Sequence, residues 1–401
     1  MSVQEESVQE ENPEYGRMTD AAVARLRNRI GRVYPIEDPY IRHVNQDSTT
    51  HIARCLGDMN PLFTDPEYAR KTRWGKLIAP PAIFYAVAWG SWDLRRGQGL
   101  PGVHGLHSGD EWRYFQPVYD GDTLHATKSL IRLDEKPGRF ASRMLLQADE
   151  IRFYNQHDDL VAIQIMPAFR MERGDGKSTG KNATRPTPSY TPEEIAQIDS
   201  EIRSEKPRGA TTRYWENVEI GEPIGMVTKG PLTVPDMISW LQGVGSPHVR
   251  TGKYWVAYRD QSPKVAVIDP ASGIPQAIER VHWDAHMAAE IGLPSAYDYG
   301  SQRGGYATYF ATQWAGDDGW VSDVNVQYRG IVYLGDLFRI TGNVVDKWRG
   351  AKTGNGYVKA DLNSLNNFGE NVMKGHVIFA LPSEETGPVE FPVNVEDDGR
   401  A

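Results

Sequence analysis

Two short segments of the chain place acidic, amide and imidazole side chains at spacings that suit acid–base chemistry. The first holds Asp58 and Asn60 in the run Gly57-Asp58-Met-Asn60-Pro61, and the second holds His282 and Asp284. A carboxylate and an imidazole can exchange protons with a substrate near neutral pH. The first run also makes a good helix stop and Asx turn without catalysis. For His282 the alternative is a histidine held by hydrogen bonds in a turn before a helix.

Other kinds of active site find little support in the sequence. Cys55 is the single cysteine, so the chain has neither an internal disulfide nor a site of several thiolate ligands. It lies in an apolar, helix-like stretch, which favours a small core residue over a nucleophile. No phosphate-binding Gly-x-Gly-x-x-Gly motif and no Gly-x-Ser-x-Gly elbow is evident. We therefore expect no metal, nucleotide or redox cofactor.

The charge of the chain restricts its class of partner. The 401 residues carry 44 Lys and Arg against 53 Asp and Glu, a formal net charge of −9. A field of this sign repels nucleic acid backbones and anionic membrane surfaces. No run of about 18 apolar residues occurs, and the acidic start lacks the basic and apolar parts of a secretion signal. We expect a cytoplasmic protein that binds neither nucleic acid nor membranes.

A polar connector divides the chain into two halves of similar size. Residues 174–209 are rich in Gly, Ser, Thr, Pro and charge, with one short helix-like piece. Residues 1–18 contain few large apolar groups and are predicted to be a disordered tail, and residues 386–401, of similar composition, are predicted to be a second tail. The halves are therefore placed at 19–173 and 210–385.

The two halves repeat the same series of landmarks. Residues 47–56 predict a helix that ends at Gly57, and residues 233–244 predict one that ends at Gly245. Each half then has a more apolar helix, at 82–92 and at 306–314, followed by alternating segments typical of strands. The second half carries an insertion at about 246–278. This is an α+β plan in which a sheet wraps a helix to bury one face.

These residues resemble the MaoC-like dehydratases, the (R)-specific enoyl-CoA hydratases, whose motif reads Gly-Asp-x-Asn-Pro-x-His-x-Asp. The run from Gly57 to Asp65 and the run from Gly75 to Pro81 carry the resemblance in the first half, which is also similar to FAS1-like dehydratases. Residues 215–221 and 328–336 carry it in the second. The resemblance implies a double hotdog fold, in which two tandem units each wrap a curved antiparallel sheet around a central helix.

Neither half carries the complete motif of that family. In the first half Phe63 holds the histidine position, and Pro81 replaces the glycine at the start of the central helix. In the second half His282 and Gly300 match those positions, but Ser246 replaces the aspartate. Proline has no N–H, whereas a glycine at a helix start can donate one to an oxygen that gains negative charge. The resemblance therefore implies His282 as the acid–base residue and Gly300 as the oxyanion donor.

The implied activity is the reversible addition of water to a 2-enoyl-CoA, with coenzyme A as part of the substrate. The carboxylate that assists His282 stays open among Asp284, Glu279 and Asp58, the last reaching across the interface between the halves. Asp58 and Asn60 stay candidates for catalysis.

The coenzyme phosphates need cationic partners, and the basic cluster of the first half could supply them; a solvated helix face is the alternative for this cluster. The residues of this basic cluster are Arg70, Lys71, Arg73 and Lys76.

Two other functions suit the same resemblance. Hydrolysis of an acyl-CoA thioester is one, and a non-catalytic acyl-CoA-binding partner of another hotdog subunit is the other. The incomplete motifs favour the latter. The resemblance also implies a homodimer or a higher homo-oligomer.

Overall fold

The computed structural model describes residues 16–89, 99–100, 102–136, 143–172, 185–261, 266–269, 271–290 and 292–400. The α-helices are α1 (Asp20–Arg27), α2 (Gln46–Leu56), α3 (Pro61–Thr64), α4 (Pro66–Ala69), α5 (Ile83–Ala88), α6 (Pro192–Ser204), α7 (Val234–Val244), α8 (Gly252–Gln261), α9 (Ala285–Glu290), α10 (Gly300–Ala315) and α11 (Val395–Asp398). Short 3-10 helices span Trp215–Asn217 and Ile278–His282.

The strands of the first half are β1 (Val33–Ile36), β2 (His104–His107), β3 (Gly109–Tyr114), β4 (His125–Lys136), β5 (Met144–Tyr154) and β6 (Leu160–Met171). The strands of the second half are β7 (Pro223–Lys229), β8 (Ala266–Ile268), β9 (Pro275–Ala277), β10 (Trp320–Tyr328), β11 (Phe338–Arg349), β12 (Gly356–Asn366) and β13 (Asn371–Leu381). The short pair β8 and β9 forms a separate hairpin within the predicted insertion.

One antiparallel sheet of eleven strands runs through both halves. Its order is β1-β4-β5-β6-β3-β10-β13-β12-β11-β7, and β2 also pairs with β6. The second half thus repeats the strand order of the first in reverse, as expected for two copies of one unit related by a pseudo-twofold axis. The halves join where β3 pairs with β10, with Trp112 opposite Val324.

The two central helices lie against this sheet. Every residue of α5 is buried, and α10 is buried along nearly its whole length. Both helices contribute to one hydrophobic cluster that also takes side chains from strands of the two halves. The predicted wrapping of a sheet around a helix is therefore observed in each half. Within the described ranges, none of these helices has the length and apolar character needed to span a membrane.

The helix ends follow local sequence signals. Asn45 caps α2 through a capping box with Ser48, and the helix ends at Gly57 in the left-handed conformation, with a φ of 71°. Thr233 caps α7, which ends at Gly245. Both predicted helices are confirmed. Of the predicted helix at 82–92, residues 83–88 are helical and residues 90–92 lie outside the described residues.

The prediction of tails at both ends is wrong for the residues that the structure describes. Residues 1–15 lie outside them, but Met18 is buried and its N–H donates to Glu172 at 2.6 Å. Near the other end, the ring of Phe391 packs edge-on against Trp74, and Val393 is buried. A few apolar side chains thus anchor segments whose average composition is polar.

The connector contains the predicted helix, α6, and packs on the second half. Glu201 accepts two hydrogen bonds from Arg339, at 2.8 and 3.0 Å. Arg185 forms an ion pair with Asp336 at 2.7 Å. Residues 173–184 lie outside the described residues.

Candidate active site at the start of helix α10

The first turn of α10 presents backbone N–H groups that the preceding residue leaves uncapped. Tyr299 is the N-cap residue, and in the described structure its side chain makes no cap hydrogen bond. The first N–H groups of a helix have no partner within the helix, and the helix dipole adds positive potential at this end. Gly300 opens the helix without a side chain. This end is therefore suited to an oxygen that gains negative charge.

A neutral histidine lies beside this helix start. The ring of His282 stacks on the ring of Tyr299, with 3.9 Å between centroids and 26° between planes. Its Nδ1 lies 2.9 Å from the carbonyl oxygen of Tyr297, which can only accept, so Nδ1 donates and Nε2 keeps a lone pair. Burial lowers the pKa of His282 to about 4, so the ring is neutral at pH 7. His282 therefore lies against the residue that precedes Gly300, and Nε2 is the ring nitrogen that can accept a proton.

A buried carboxylate, Glu279, accompanies this imidazole. Glu279 and His282 stand three positions apart in the 3-10 helix Ile278–His282, a spacing that puts both side chains on one side. Burial first, and then the neighbouring Glu279 carboxylate, raise the pKa of the Tyr299 phenol well above its usual value. Glu279 and His282 therefore meet at the same tyrosine.

A carboxylate, Glu279, contacts Ser246, the residue at the position of the family-motif aspartate. The hydroxyl of Ser246 donates to Oε2 of Glu279, which is only 4% exposed. Ser246 occupies the motif position of the aspartate, and Glu279 reaches it from the far end of the insertion. A carboxylate thus lies at this position, although a different segment supplies it.

A buried ion pair holds the segment that orients His282. Arg303, one turn into α10, donates to both oxygens of Asp298 at 2.8 and 2.6 Å. It also donates to the carbonyl oxygen of Gly330 at 2.7 Å. Burial raises the pKa of Asp298, and the guanidinium acts against that rise. Because Asp298 follows Tyr297, the pair fixes the carbonyl oxygen that accepts from His282.

Asp284 makes structural contacts. Its Oδ2 binds Arg280 at 2.6 Å, and its Oδ1 accepts the N–H groups of His286 and Met287 at 2.9 and 3.1 Å. The carboxylate therefore starts α9 and neutralises a guanidinium, and both its oxygens are occupied. The sequence offered three carboxylates as possible partners of His282. Among them, Glu279 is the one that interacts with Tyr299, on which His282 stacks.

The structure also separates Asp58 from His282. Asp58 accepts a hydrogen bond from Gln313 at 3.4 Å, near the far end of α10. Gln313 lies thirteen positions beyond Gly300, which is about 20 Å along a helix axis. An approach of Asp58 to His282 across the interface is therefore wrong, because each half places its motif at an opposite end of this helix.

Asp58 and Asn60 perform the local roles of a helix stop and cap. The N–H of Asn60 donates to Oδ1 of Asp58 at 2.9 Å, and Oδ1 of Asn60 accepts from the N–H of Leu62 at 3.0 Å, which starts α3. Burial raises the pKa of Asp58 to about 6, opposed in part by the Asn60 N–H and the charge of Lys229. Phe63, at the position of the family histidine, is buried in a hydrophobic cluster.

The basic cluster of the first half lies at the other end of α10 as well. Arg73 donates to the carbonyl oxygen of Val389 at 3.0 Å, and Lys76 donates to that of Asp120 at 2.9 Å. Arg70 pairs with Glu67, and Lys71 is exposed. The neighbouring Trp74 donates to the carbonyl oxygen of Asp317, just beyond α10, at 2.7 Å, and a helix of this length spans about 24 Å. Binding of coenzyme phosphates by this cluster stays a prediction.

The described residues contain neither an accessible cysteine nor a cluster of metal ligands. Cys55 is buried and its Sγ–H donates to the carbonyl oxygen of Ile52 at 3.1 Å, as expected of a core residue. No group of three or more His, Cys, Asp or Glu side chains in the described ranges is placed to hold a metal ion.

A second histidine at the helix start comes from the first half and was not predicted. An ideal Cβ at Gly300 would lie 2.9 Å from Nδ1 of His107, whose Nε2 lies 3.2 Å from Oδ1 of Asp110. Both residues lie outside the family motifs, in β2 and β3. The one available signal was that Asp110 shares the buried strand face with Trp112 and Tyr114, where a carboxylate is unusual.

Comparisons with known proteins agree with this architecture. A model of the FAS1-like dehydratase domain region matches residues 29–164. A UPF0336 protein of Streptomyces avermitilis is 32% identical over 108 residues, which make up 25% of this chain and 68% of that protein. A UPF0336 protein of Parafrankia is 30% identical over 104 residues, again 25% of this chain and 68% of that protein.

Solved structures with the same fold cover nearly the whole chain. A MaoC-like dehydratase has 17% identity and a TM-score of 0.62, covering 90% of this chain and 100% of its own. A double hotdog protein of Mycobacterium tuberculosis has 15% identity and a TM-score of 0.51, covering 88% and 96%. Identities this low show the fold, and the predicted double hotdog is confirmed. The chain belongs to the family of the UPF0336 proteins, with a FAS1-like dehydratase region in its first half and the double hotdog fold that it shares with a MaoC-like dehydratase.

Proposed function

We propose that this protein catalyses the reversible addition of water to a trans-2-enoyl-CoA thioester, which gives a 3-hydroxyacyl-CoA. The observation that carries the proposal is the neutral ring of His282, stacked on Tyr299 beside the uncapped start of α10 at Gly300. Hydration needs a base for the water and a donor for the thioester oxygen, and these two features supply them at one place.

His282 acts as the base. With Nδ1 donating to the carbonyl oxygen of Tyr297, Nε2 is left as the proton acceptor of the ring, and it takes a proton from water as the oxygen bonds to Cβ. Glu279 holds the same water and stabilises the imidazolium that forms, since an opposite charge close by favours a charged ring. Its hydrogen bond from Ser246 keeps the carboxylate in place.

The start of α10 stabilises the charge that moves to the thioester oxygen. As water adds, the electron pair of the C=C bond shifts through the carbonyl and gives an enolate. The N–H of Gly300 donates to that oxygen, and the helix dipole adds to the effect. The enolate then collapses when His282 returns the proton to Cα, which restores the neutral imidazole. Dehydration follows the same path in reverse.

The direct test is an assay of the purified full chain with trans-2-enoyl-CoA substrates of short, long and ring-bearing acyl groups. Loss of the conjugated enoyl thioester absorbance, with no release of free thiol, is the expected result. Release of thiol from a saturated acyl-CoA would identify a thioesterase instead. No change with any substrate would contradict both activities and support a non-catalytic acyl-CoA-binding role.

We also propose an assembly from the resemblance to double hotdog proteins, and a location from the composition of the chain. We expect a homodimer or higher homo-oligomer, which light scattering coupled to size-exclusion chromatography measures. We also expect a cytoplasmic location, which fractionation of source cells tests.

A further inference from the structure

His107 and Asp110 form a buried pair that the first half places against α10. Nε2 of His107 lies 3.2 Å from Oδ1 of Asp110, which is fully buried. Asp110 also accepts hydrogen bonds from Gln164 at 2.6 Å, from Tyr85 at 2.7 Å and from Tyr328. Burial of a carboxylate costs several kcal/mol unless its hydrogen bonds are made, and here four donors surround it. These donors therefore fix the position of Asp110, which in turn orients Nε2 of His107.

Two glycines of α10 make room for this pair. A Cβ at Gly300 would lie 2.9 to 3.1 Å from three atoms of His107. A Cβ at Gly304 would overlap Tyr85, and would lie 2.6 Å from Oδ2 of Asp110. Positions 300 and 304 lie on one face of the helix, because residues four apart are neighbours. The helix of the second half is thus shaped to receive groups that the first half supplies.

One ring nitrogen of His107 is left without a partner. The side chain is 10% exposed, and Nδ1 is buried with no hydrogen bond to any residue that the structure describes. A buried polar atom with no partner costs about 1–3 kcal/mol. Since Asp110 accepts from Nε2, Nδ1 is the atom of this ring that remains for a ligand, and it lies against Gly300.

We propose that His107 is a second catalytic imidazole, which contacts the thioester carbonyl oxygen through Nδ1, and that Asp110 is its positioning residue. This rests on the proposed hydration at the same helix start. In this arrangement both ring nitrogens of His107 donate, Nε2–H to Asp110 and Nδ1–H to the thioester oxygen beside the N–H of Gly300. The proton stays on His107 while the enolate forms and collapses, and His282 alone transfers the proton of the water. The active site is therefore shared between the halves.

A matched pair of variants tests the hydrogen bond. Asn and Leu have similar shapes, but only Asn keeps a donor near the place of Nδ1. We expect His107→Leu to lower kcat about 10²- to 10³-fold, the usual effect of losing an oxyanion donor, with a KM within about threefold of wild type. His107→Asn should keep a kcat at least about tenfold above that of His107→Leu, by the same reasoning. Equal kcat values for the two variants would overturn the proposal.

A second measurement does not depend on turnover. The full chain with ¹⁵N-labelled histidine is titrated with butyryl-CoA, a saturated thioester that cannot be hydrated, and His107→Asn identifies the His107 signal. We expect the Nδ1 resonance of His107 to shift on binding, while that of the exposed His286 stays in place. A saturating titration that leaves His107 unchanged overturns the inference even if the protein is a hydratase. A shift in a protein without hydratase activity keeps the thioester contact and refutes the proposed reaction.

Discussion

The ring of His282 lies on the ring of Tyr299, with 3.9 Å between their centroids, and Tyr299 is the last residue before α10. Through this contact the end of the insertion and the start of the central helix form one surface. The carbonyl oxygen of Tyr297 fixes one nitrogen of the imidazole, and burial keeps the ring neutral.

Replacement of His282 by Gln should abolish most hydratase activity. The amide keeps a similar size but cannot take a proton, so kcat is expected to fall about 10²- to 10⁴-fold. His286→Gln, at an exposed position of α9, is the matched control and should keep the wild-type rate. The enoyl thioester absorbance assay measures both, and a His282→Gln variant with normal turnover would refute the assigned base.

Glu279→Gln and Asp284→Asn distinguish the two carboxylates near His282. We expect Glu279→Gln to lower kcat about 10²-fold or more, because the charge that stabilises the imidazolium is lost. Asp284→Asn should affect thermal stability more than kcat, since Asp284 binds Arg280 and starts α9. A large loss of kcat in Asp284→Asn but not in Glu279→Gln would identify Asp284 as the catalytic carboxylate instead.

A methyl group at position 300 should obstruct the helix start. Gly300→Ala puts a Cβ about 3 Å from the His107 ring, and overpacking of this kind costs about 1–3 kcal/mol of unfolding free energy. Hydratase activity should fall as well, because the donor N–H is displaced. Gly330→Ala is the control, since its Cβ would meet its nearest neighbour at 3.5 Å, an ordinary contact. Equal stability and activity of the two variants would contradict the close packing of His107 on α10.

Asp58→Asn should change the pH dependence of stability without a loss of activity. Burial raises the pKa of Asp58 to about 6 in the folded protein, whereas an unfolded Asp titrates near pH 4. Between these values the folded state binds more protons, so stability falls as the pH rises from about 4 to 6, by about 2–3 kcal/mol for this group.

Denaturant unfolding at a series of pH values measures that effect. The stability of Asp58→Asn relative to wild type should increase across this window, while its kcat stays unchanged because Asp58 is remote from Gly300. Asp47→Asn, at an exposed position of α2, serves as the control. A stability difference that stays constant across the window would show that the pKa of Asp58 is not raised. A large loss of kcat would show that Asp58 takes part in the reaction.

The pH profile of the hydration rate should report His282. Its pKa is lowered to about 4, so the neutral base is present above that value and is lost as the pH falls through it. We expect the protonation state of His282 to leave kcat/KM unchanged from pH 5 to 7. Protonation of this base should lower kcat/KM only near pH 4. The rates are measured at pH values where the protein stays folded. A base that titrates near pH 6.5 would indicate a solvated histidine, at odds with its burial.

Much of the fold follows from local signals in the sequence. The capping residues of α2 and α7 and the glycines that end them are readable without a structure, because they satisfy helix ends through neighbours in the chain. The duplication predicts the mirrored strand order once the repeat is noticed. The docking of Met18 and Phe391 was not predictable from composition, since one buried side chain can anchor a polar segment.

The candidate site was predictable where it follows the family motif and not where it depends on distant contacts. His282 and Gly300 could be aligned with motif positions. The meeting of Glu279 with Ser246 depends on the path of an insertion, and the meeting of His107 with Gly300 depends on which strands join the halves. Asp58 matches its motif position in the sequence, but it lies near Gln313 at the far end of α10, away from this site.

The backbone pairing of β3 with β10 has a consequence for how the two copies diverged. Separation of the halves would leave an unpaired strand edge on each, and such edges invite aggregation. Selection can therefore act on the first copy as a scaffold that covers its sister, even after its own motif has lost the histidine. A copy whose own motif is incomplete, but which covers the strand edge of its neighbour in this way, is retained together with that neighbour.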